Sequence, residues 1–254
     1  SGDPELTKLW EKFRADSLRD FKKIYEMLDV SFDIEHGESF YHKFVDEAIN
    51  EAIKKGIAVQ EPNGPVVINL EKFGLASYLL RKSDGASLYS ARDLAAAKWR
   101  LKEYNPDQLI YITAHEQELY FKQIIKTLEL MGYPVEKLLH ITYGIITLAG
   151  EKMSTRKGHA IFVEDIIKEA IKKAKDNKDV GIGAMIYGML ASGREKDMAF
   201  NWESALNLEA NSGPYIQYGY VRTKSMLAKE EPKGETVKVT ELNEQEKNLI
   251  KQLA

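Results

Sequence analysis

One stretch of the chain, residues 109–148, restricts the possible folds more than any other. Leu109–Thr113 is a short apolar run that predicts a buried strand, and apolar residues at helical spacing over 119–128 predict an amphipathic helix. The apolar run Leu138–Leu148 predicts a second strand. A strand, a helix and a strand of these lengths form a βαβ unit, which implies a parallel sheet with a right-handed crossover. In such sheets, ligands bind beyond the carboxyl ends of the strands.

A basic loop follows the second predicted strand. Residues 151–158 read Glu-Lys-Met-Ser-Thr-Arg-Lys-Gly and hold three cations and two hydroxyls. Lys152 and Arg156 neutralise negative charge, and Ser154 and backbone N–H groups donate hydrogen bonds, so the composition suits a polyphosphate. By composition alone, a solvated surface loop is the more common explanation. Only the order of the residues favours a phosphate site.

Tyr89 and Asp93 form a candidate site for a cationic ligand. They are four residues apart at the start of a predicted helix, which places both side chains on one helix face. A carboxylate beside a phenol can hold a guanidinium through charge-assisted hydrogen bonds. An Asp near a helix N-terminus is also stabilised by the helix dipole without any ligand. The residues alone leave both explanations open.

Several motifs in a fixed order resemble those of arginyl-tRNA synthetases, a family of class I aminoacyl-tRNA synthetases. The loop segment 152–158 is similar to the KMSK-type signature in the KMSTRKG form of that family. Segments 83–93, 116–117 and 140–144 are similar to further family motifs, and 211–222 resembles the start of the helical anticodon-binding domain. Agreement of several spaced motifs is far more specific than any one of them.

The resemblance implies roles for individual residues. Those implied to hold the substrate arginine are Tyr89, Asp93 and Gln117. Those implied to bind ATP are His140, Gly144, Lys152, Met153, Ser154 and Arg156, with Lys152 and Ser154 as the catalytic pair. Without the family match, His140 is more simply an ordinary strand histidine. The general KMSKS pattern has a second Lys where this chain has Thr155, so that role falls to Arg156, to Lys157 or to no residue.

Candidate contacts to tRNA lie further along the chain. They are Tyr215, Tyr218 and Arg222, since exposed aromatic and guanidinium groups stack on RNA bases. The alternative explanation is that most of them pack inside a helical interface.

The predicted fold is α/β. Residues 1–162 are expected to form the second half of a Rossmann-like parallel-sheet catalytic domain with a connective insertion, and residues 163–254 the first part of an all-α anticodon-binding domain. Class I synthetases also carry a HIGH signature, and none of the five histidines lies in one. We therefore expect the N-terminal half of the enzyme to be a missing partner. The chain also starts without Met and stops soon after a capping box over 243–246 opens a helix, so we expect both ends to be cut. Leu28–Asp33 alternates apolar and polar residues, which predicts a half-buried strand.

Composition excludes several classes of protein. Hydrophobic residues make up 44% of the chain and the net charge is -3, which favours a folded, soluble protein over a disordered or histone-like one. With no cysteine there is neither a disulfide framework nor a thiolate metal site. No apolar run is long enough to span a bilayer, so we expect no membrane association. The lack of cysteine fits a reducing compartment, and we expect a cytoplasmic location.

The resemblance implies an enzyme that activates L-arginine with ATP, accompanied by Mg²⁺, to arginyl-adenylate and then transfers arginine to tRNA(Arg). No metal site formed by the protein itself is evident. We expect the chain alone to be inactive as a ligase. The alternative is a stable, non-catalytic RNA- or protein-binding fragment with relic ATP and arginine motifs. A different nucleotidyl transferase is disfavoured, because it would not need an arginine pocket.

Overall fold

The computed structural model describes residues 3–62, 64–148, 162–209, 211–229 and 241–253. The helices are α1 (Pro4–Leu28), α2 (Glu38–Tyr41), α3 (Val45–Lys54), α4 (Tyr89–Tyr104), α5 (Glu118–Leu130), α6 (Val163–Lys173), α7 (Lys178–Leu190), α8 (Trp202–Ala205), α9 (Gly213–Lys229) and α10 (Glu244–Leu253). The strands are β1 (Ala58–Gln60), β2 (Val66–Ile68), β3 (Tyr78–Arg81), β4 (Leu109–Ala114), β5 (Leu138–Tyr143), β6 (Ile146–Leu148) and β7 (Met198–Phe200). In these ranges, no helix combines the length and apolar character needed to cross a bilayer.

The predicted βαβ unit is present. β4 and β5 pair in parallel, with Tyr111 opposite His140 and Thr113 opposite Thr142, and α5 connects them. The prediction from hydrophobic periodicity is therefore confirmed. Because the strands are parallel, their carboxyl ends lie at the same edge of the sheet.

The apolar run Leu138–Leu148 forms two strands, so the prediction of a single strand is wrong. The backbone N–H of Gly144 donates to the carbonyl of Arg194 (2.7 Å), and the N–H of Ile145 donates to Oδ1 of Asp197 (2.6 Å). These bonds end β5, and β6 pairs in parallel with β7 instead of continuing beside β4. A distant segment of the chain thus ends the strand and changes its direction. Hydrophobic periodicity cannot predict this, because it depends only on the local sequence.

The predicted strand over Leu28–Asp33 is also wrong. Helix α1 continues to Leu28 and ends at Asp29, whose backbone is left-handed (φ 55°), and the N–H of Val30 donates to the carbonyl of Tyr25. Val30 and Phe32 are 43% and 55% exposed, so no sheet buries the alternating side chains. The hydrogen bonds that end α1 therefore determine the structure of this segment, and the alternating sequence pattern does not.

The larger core lies between α3, α4 and an antiparallel sheet in the order β1-β2-β3. Helix α4 is rich in alanine, and Ala91, Ala95 and Ala97 are each buried. Leu94 is fully buried beside them, while Asp93 on the same helix is half-buried. The small side chains leave room for close packing of α4 against its neighbours, which fixes the orientation of its first turn.

A second core joins α6, α7, α8 and β7. A Cβ added at Gly181 would lie 2.7 Å from the carbonyl oxygen of Ala170, so this glycine permits the close approach of α7 to α6. The β6–β7 pair connects residues on either side of the domain boundary predicted at residue 162. That boundary stays a prediction.

A carboxylate network ties the larger core together. The carboxylate of Glu51 on α3 forms ion pairs with Lys55 (2.8 Å) and with the buried Lys98 of α4 (2.6 Å). It also accepts a hydrogen bond from the hydroxyl of Tyr133 (3.0 Å). Burial raises the pKa of the Glu51 carboxyl, but these donors outweigh it and bring the pKa from 4.5 down to about 2.

We expect this network to make stability depend on pH. Because the pKa of Glu51 falls on folding, its stabilisation is complete above pH 4.5 and is lost as the pH falls towards 2. Glu51→Gln should lower the free energy of unfolding by about 3 kcal/mol near neutral pH and by much less in acid, as measured by urea denaturation. The control is Glu47→Gln, since Glu47 is 72% exposed at its ion pair with Lys98. An equal loss at both pH values for Glu51→Gln would contradict the network's role.

Candidate functional site

The candidate site lies where the first turns of α4 and α5 meet. The hydroxyl of Tyr120 on α5 donates a hydrogen bond to Oδ2 of Asp93 on α4 (2.5 Å). The ring of Tyr89, one turn before Asp93, lies with its centroid 5.2 Å from that of Tyr120, and Tyr89 is 57% exposed. Two of the predicted arginine contacts are therefore joined by a third side chain.

Tyr120 was not among the predicted site residues. In the sequence it stands between Leu119 and Phe121 at the start of an apolar-periodic helix, where an aromatic residue is most simply a core residue. Its position three residues after Gln117 is the only local signal. Contact with Asp93 depends on how α5 packs against α4, which a single sequence does not encode locally.

The environment of Asp93 suits a cationic ligand. Burial raises the pKa of the Asp93 carboxyl above its usual range, while the Tyr120 hydrogen bond lowers it. The charge of Glu38 raises this pKa further, and the charges of Arg100 and Arg92 lower it. Arg92 itself forms an ion pair with Glu38. The balance leaves the carboxylate incompletely compensated, and a bound cation would supply the missing compensation.

Gln117 is less closely tied to this pair. It ends a short 3-10 turn, His115–Gln117, that connects β4 to α5, and its side chain is exposed. No hydrogen bond joins it to Tyr89, Asp93 or Tyr120, all of which lie in the described part of the chain. Its role in arginine binding stays a prediction.

His140 lies inside the parallel sheet. Its Nε2 is 2.8 Å from the hydroxyl oxygen of Thr113 on β4, and its ring stacks on Phe121 with centroids 4.4 Å apart. Burial lowers the pKa of the imidazole. The ring therefore links the two strands and α5. Its contact with ATP stays a prediction.

Gly144 is buried at the end of β5, where the segment preceding β7 crosses the chain. A Cβ built on Gly144 would lie 2.3 Å from the carbonyl carbon of Lys196. In the same place, Oδ1 of Asp197 accepts the N–H of Ile145 and lies 3.1 Å from Nε2 of His115. The crossing thus sets the direction of β6, after which the basic loop begins.

We expect Gly144→Ala to disrupt this crossing. The added methyl group meets backbone atoms that have no rotamer to change, so the loss of unfolding free energy should reach about 2–4 kcal/mol. Hydrogen exchange should show faster exchange at the Ile145 amide. Gly193→Ala is the control, because a Cβ there meets nothing within 4 Å. Unchanged exchange at Ile145 in the Gly144→Ala protein would contradict the close approach.

The predicted loop residues Lys152, Met153, Ser154 and Arg156 lie outside the described residues. The described chain stops at Leu148, the end of β6, and resumes at Phe162, just before α6. Their roles therefore stay predictions from the sequence.

The predicted tRNA contacts lie on α9. Tyr215 and Tyr218 are 51% and 57% exposed, and Arg222 is also exposed. Within the described ranges, only Gly213 and Pro214 of this helix are buried. None of the three predicted contacts is thus a core residue in the structure, although contact with tRNA is not tested by it.

Comparison with known proteins first gives the class. The family model of the tRNA synthetases class I (R), catalytic domain, matches residues 1–202. This match extends beyond residue 162 and includes β7, which pairs with β6. The chain therefore carries sequence of a class I synthetase catalytic domain.

Individual relatives give the family. The arginine–tRNA ligase of Clostridium acetobutylicum is 43% identical over 269 residues, which cover 99% of this chain and 48% of that protein. The arginine–tRNA ligase of Clostridium perfringens is 42% identical over 246 residues, which cover 91% of this chain and 43% of that protein. The chain belongs to the arginyl-tRNA synthetase family, as its motifs predicted. It spans about half the length of the curated relatives it matches.

Solved structures share the fold. The arginyl-tRNA synthetase of Plasmodium falciparum is 24% identical with a TM-score of 0.79, covering 91% of this chain and 42% of that chain. A putative arginyl-tRNA synthetase from Campylobacter jejuni is 17% identical with a TM-score of 0.77, covering 96% and 53%. These likenesses confirm the predicted α/β fold class, with part of a catalytic domain followed by helices.

Proposed function

We propose that this chain supplies half of the arginine-activating site of an arginine–tRNA ligase. The observation that carries the proposal is the half-buried Asp93 carboxylate on the same helix as Tyr89. The motif resemblance implies that both residues hold the substrate arginine. The reaction joins the arginine carboxylate to the α-phosphate of ATP, with loss of pyrophosphate. It then passes the arginyl group to tRNA(Arg), with release of AMP.

Asp93 sets the choice of amino acid in this proposal. Its burial makes an unpaired charge costly, so binding favours a side chain that brings a positive charge to it. Tyr89 adds a phenol on the same helix face, and Gln117 adds an amide from the carboxyl end of β4. A neutral amino acid would leave the carboxylate uncompensated, which is the basis of discrimination.

The ATP side of the site is assigned to His140 within β5, to Gly144 just after that strand, and to the loop residues Lys152, Met153, Ser154 and Arg156. Catalysis here needs positioning of the two substrates and stabilisation of the pyrophosphate as it leaves. Lys152 would bear most of that charge, with Ser154 assisting. Mg²⁺ would arrive with ATP. The described ranges hold no group of three acidic or histidine side chains suited to a metal ion.

Two partners complete the proposal. The first would be an N-terminal half of an arginine–tRNA ligase, which would bring the HIGH signature. One side of α1 suits that contact, since none of its described residues is buried and Trp10 and Phe13 are 48% and 59% exposed. tRNA(Arg) would contact Tyr215, Tyr218 and Arg222 on α9.

The proposal assigns residues 1–162 to the catalytic part and residues 163–254 to the anticodon-binding part. We place the protein in the cytoplasm.

Calorimetry on the 254-residue chain tests the proposal. Arginine should bind saturably, with a Kd on the order of 1 mM because only half of the site is present, whereas its neutral analogue citrulline should not bind. The chain alone should show little or no aminoacylation. Salt-dependent binding of tRNA without any binding of arginine or ATP would instead favour the alternative, a non-catalytic RNA-binding fragment.

A further inference from the structure

The contact between Tyr120 and Asp93 is short and charge-assisted. The two oxygen atoms are 2.5 Å apart, at the short end for a hydroxyl donating to a carboxylate. The Tyr120 ring is half-buried and lies 5.5 Å, centroid to centroid, from that of Phe121 and 5.2 Å from that of Tyr89. These two ring contacts and the hydrogen bond restrict rotation of the side chain, so its hydroxyl holds a defined place.

The two oxygens of Asp93 differ in their bonding. Oδ2 accepts the Tyr120 hydroxyl, whereas Oδ1 has no hydrogen bond to any residue within the described ranges. The carboxylate is thus fixed through one oxygen and retains the other for a ligand. Neither oxygen forms an ion pair with Arg92 or Arg100, which act on Asp93 only through charge.

We propose that Tyr120 is a positioning residue for arginine recognition, which holds Asp93 through Oδ2 and thereby presents Oδ1 to the guanidinium. This inference rests on the proposed function of Asp93. Tyr120 has no need to touch the arginine itself. Its effect is to remove the rotational freedom that Asp93 would otherwise lose on binding, and to favour the ionised carboxylate through its hydrogen bond.

The matched test compares two Tyr→Phe variants that each lose a hydroxyl bonded to a carboxylate. Tyr120→Phe should weaken arginine binding to the 254-residue chain about tenfold by calorimetry, as expected for a lost bond to a charged group. Tyr133→Phe loses the hydrogen bond from Tyr133 to Glu51. Neither residue forms a hydrogen bond or an ion pair with Asp93 in the described structure, so this variant should leave arginine binding unchanged. Equal arginine affinity in the wild-type and Tyr120→Phe chains overturns the inference while the proposed function stands.

A second measurement keeps the inference separate from the proposed function. The pKa of the Asp93 carboxyl is followed by carbon-13 NMR titration without ligand. Since the Tyr120 hydrogen bond lowers this pKa, Tyr120→Phe should raise it, and Tyr133→Phe should not. An unchanged Asp93 pKa overturns the inference. If the wild-type chain binds no arginine, the proposed site fails, and the inferred role of Tyr120 in recognition fails with it even where the pKa rises.

Discussion

Replacing Asp93 by Asn is expected to lower arginine-dependent exchange of pyrophosphate into ATP by a factor of about 10²–10⁴. The exchange is measured in a hybrid enzyme, in which this chain replaces the matching 48% of the Clostridium acetobutylicum arginine–tRNA ligase. Asn keeps the size of Asp93 and the ability to accept from Tyr120 but removes the charge. The guanidinium then enters a half-buried site without its counter-ion, which weakens binding in both the ground state and the transition state.

The control for this variant is Asp107→Asn. Asp107 is exposed in the connection between α4 and β4, before the amino end of the strand, and its loss should leave exchange unchanged. The defect of the Asp93→Asn hybrid should appear in the kcat/KM for arginine, with the KM for ATP nearly unchanged. Exchange within about threefold of the parent hybrid would remove Asp93 from the arginine site.

Replacing Lys152 by Ala is expected to lower kcat for the same exchange by a factor of about 10²–10³. The loss follows from the charge that develops on pyrophosphate as it leaves, which a preorganised cation stabilises more in the transition state than in bound ATP. The KM for arginine should change little, because Lys152 is assigned to the phosphates alone. The Asp93 and Lys152 variants therefore have opposite kinetic signatures.

Neighbouring cations provide the comparison for Lys152. Arg156→Ala and Lys157→Ala, tested separately, show which of the two takes the role of the second Lys, since the family's usual position is Thr155 here. Lys168→Ala on α6 removes an exposed cation outside the loop and should have no effect. If Lys152→Ala retains full kcat, the loop is a solvated surface loop in this protein, as its composition alone would favour.

Local patterns were sufficient for the βαβ unit and insufficient where distant segments meet. The apolar runs and the helical spacing between them predicted β4, α5 and β5, because each element satisfies its own backbone and buries its own face. The division of the last strand at Gly144 depends on hydrogen bonds to Arg194 and Asp197, some fifty residues away. The alternation after Leu28 indicated a strand, but no strand of the described ranges pairs with it.

The candidate site divides in the same way. The spacing of Tyr89 and Asp93 predicted that they lie on one helix, and both are on α4; their binding of arginine stays a prediction. The contact of Tyr120 with Asp93 could not be predicted, because it forms only once α5 packs against α4. For His140, the structure shows the strand histidine with a satisfied ring nitrogen that the residues alone favoured, and ATP binding at the same ring is a separate prediction.

The most direct test of the central claim is the amino-acid dependence of pyrophosphate exchange by the unmodified hybrid. The claim is that this chain carries the arginine-selecting half of the site. It predicts exchange with arginine within about tenfold of the Clostridium acetobutylicum enzyme, and at least 10²-fold less with lysine or citrulline. A folded hybrid that shows no arginine-dependent exchange, or that accepts citrulline as well as arginine, would contradict it.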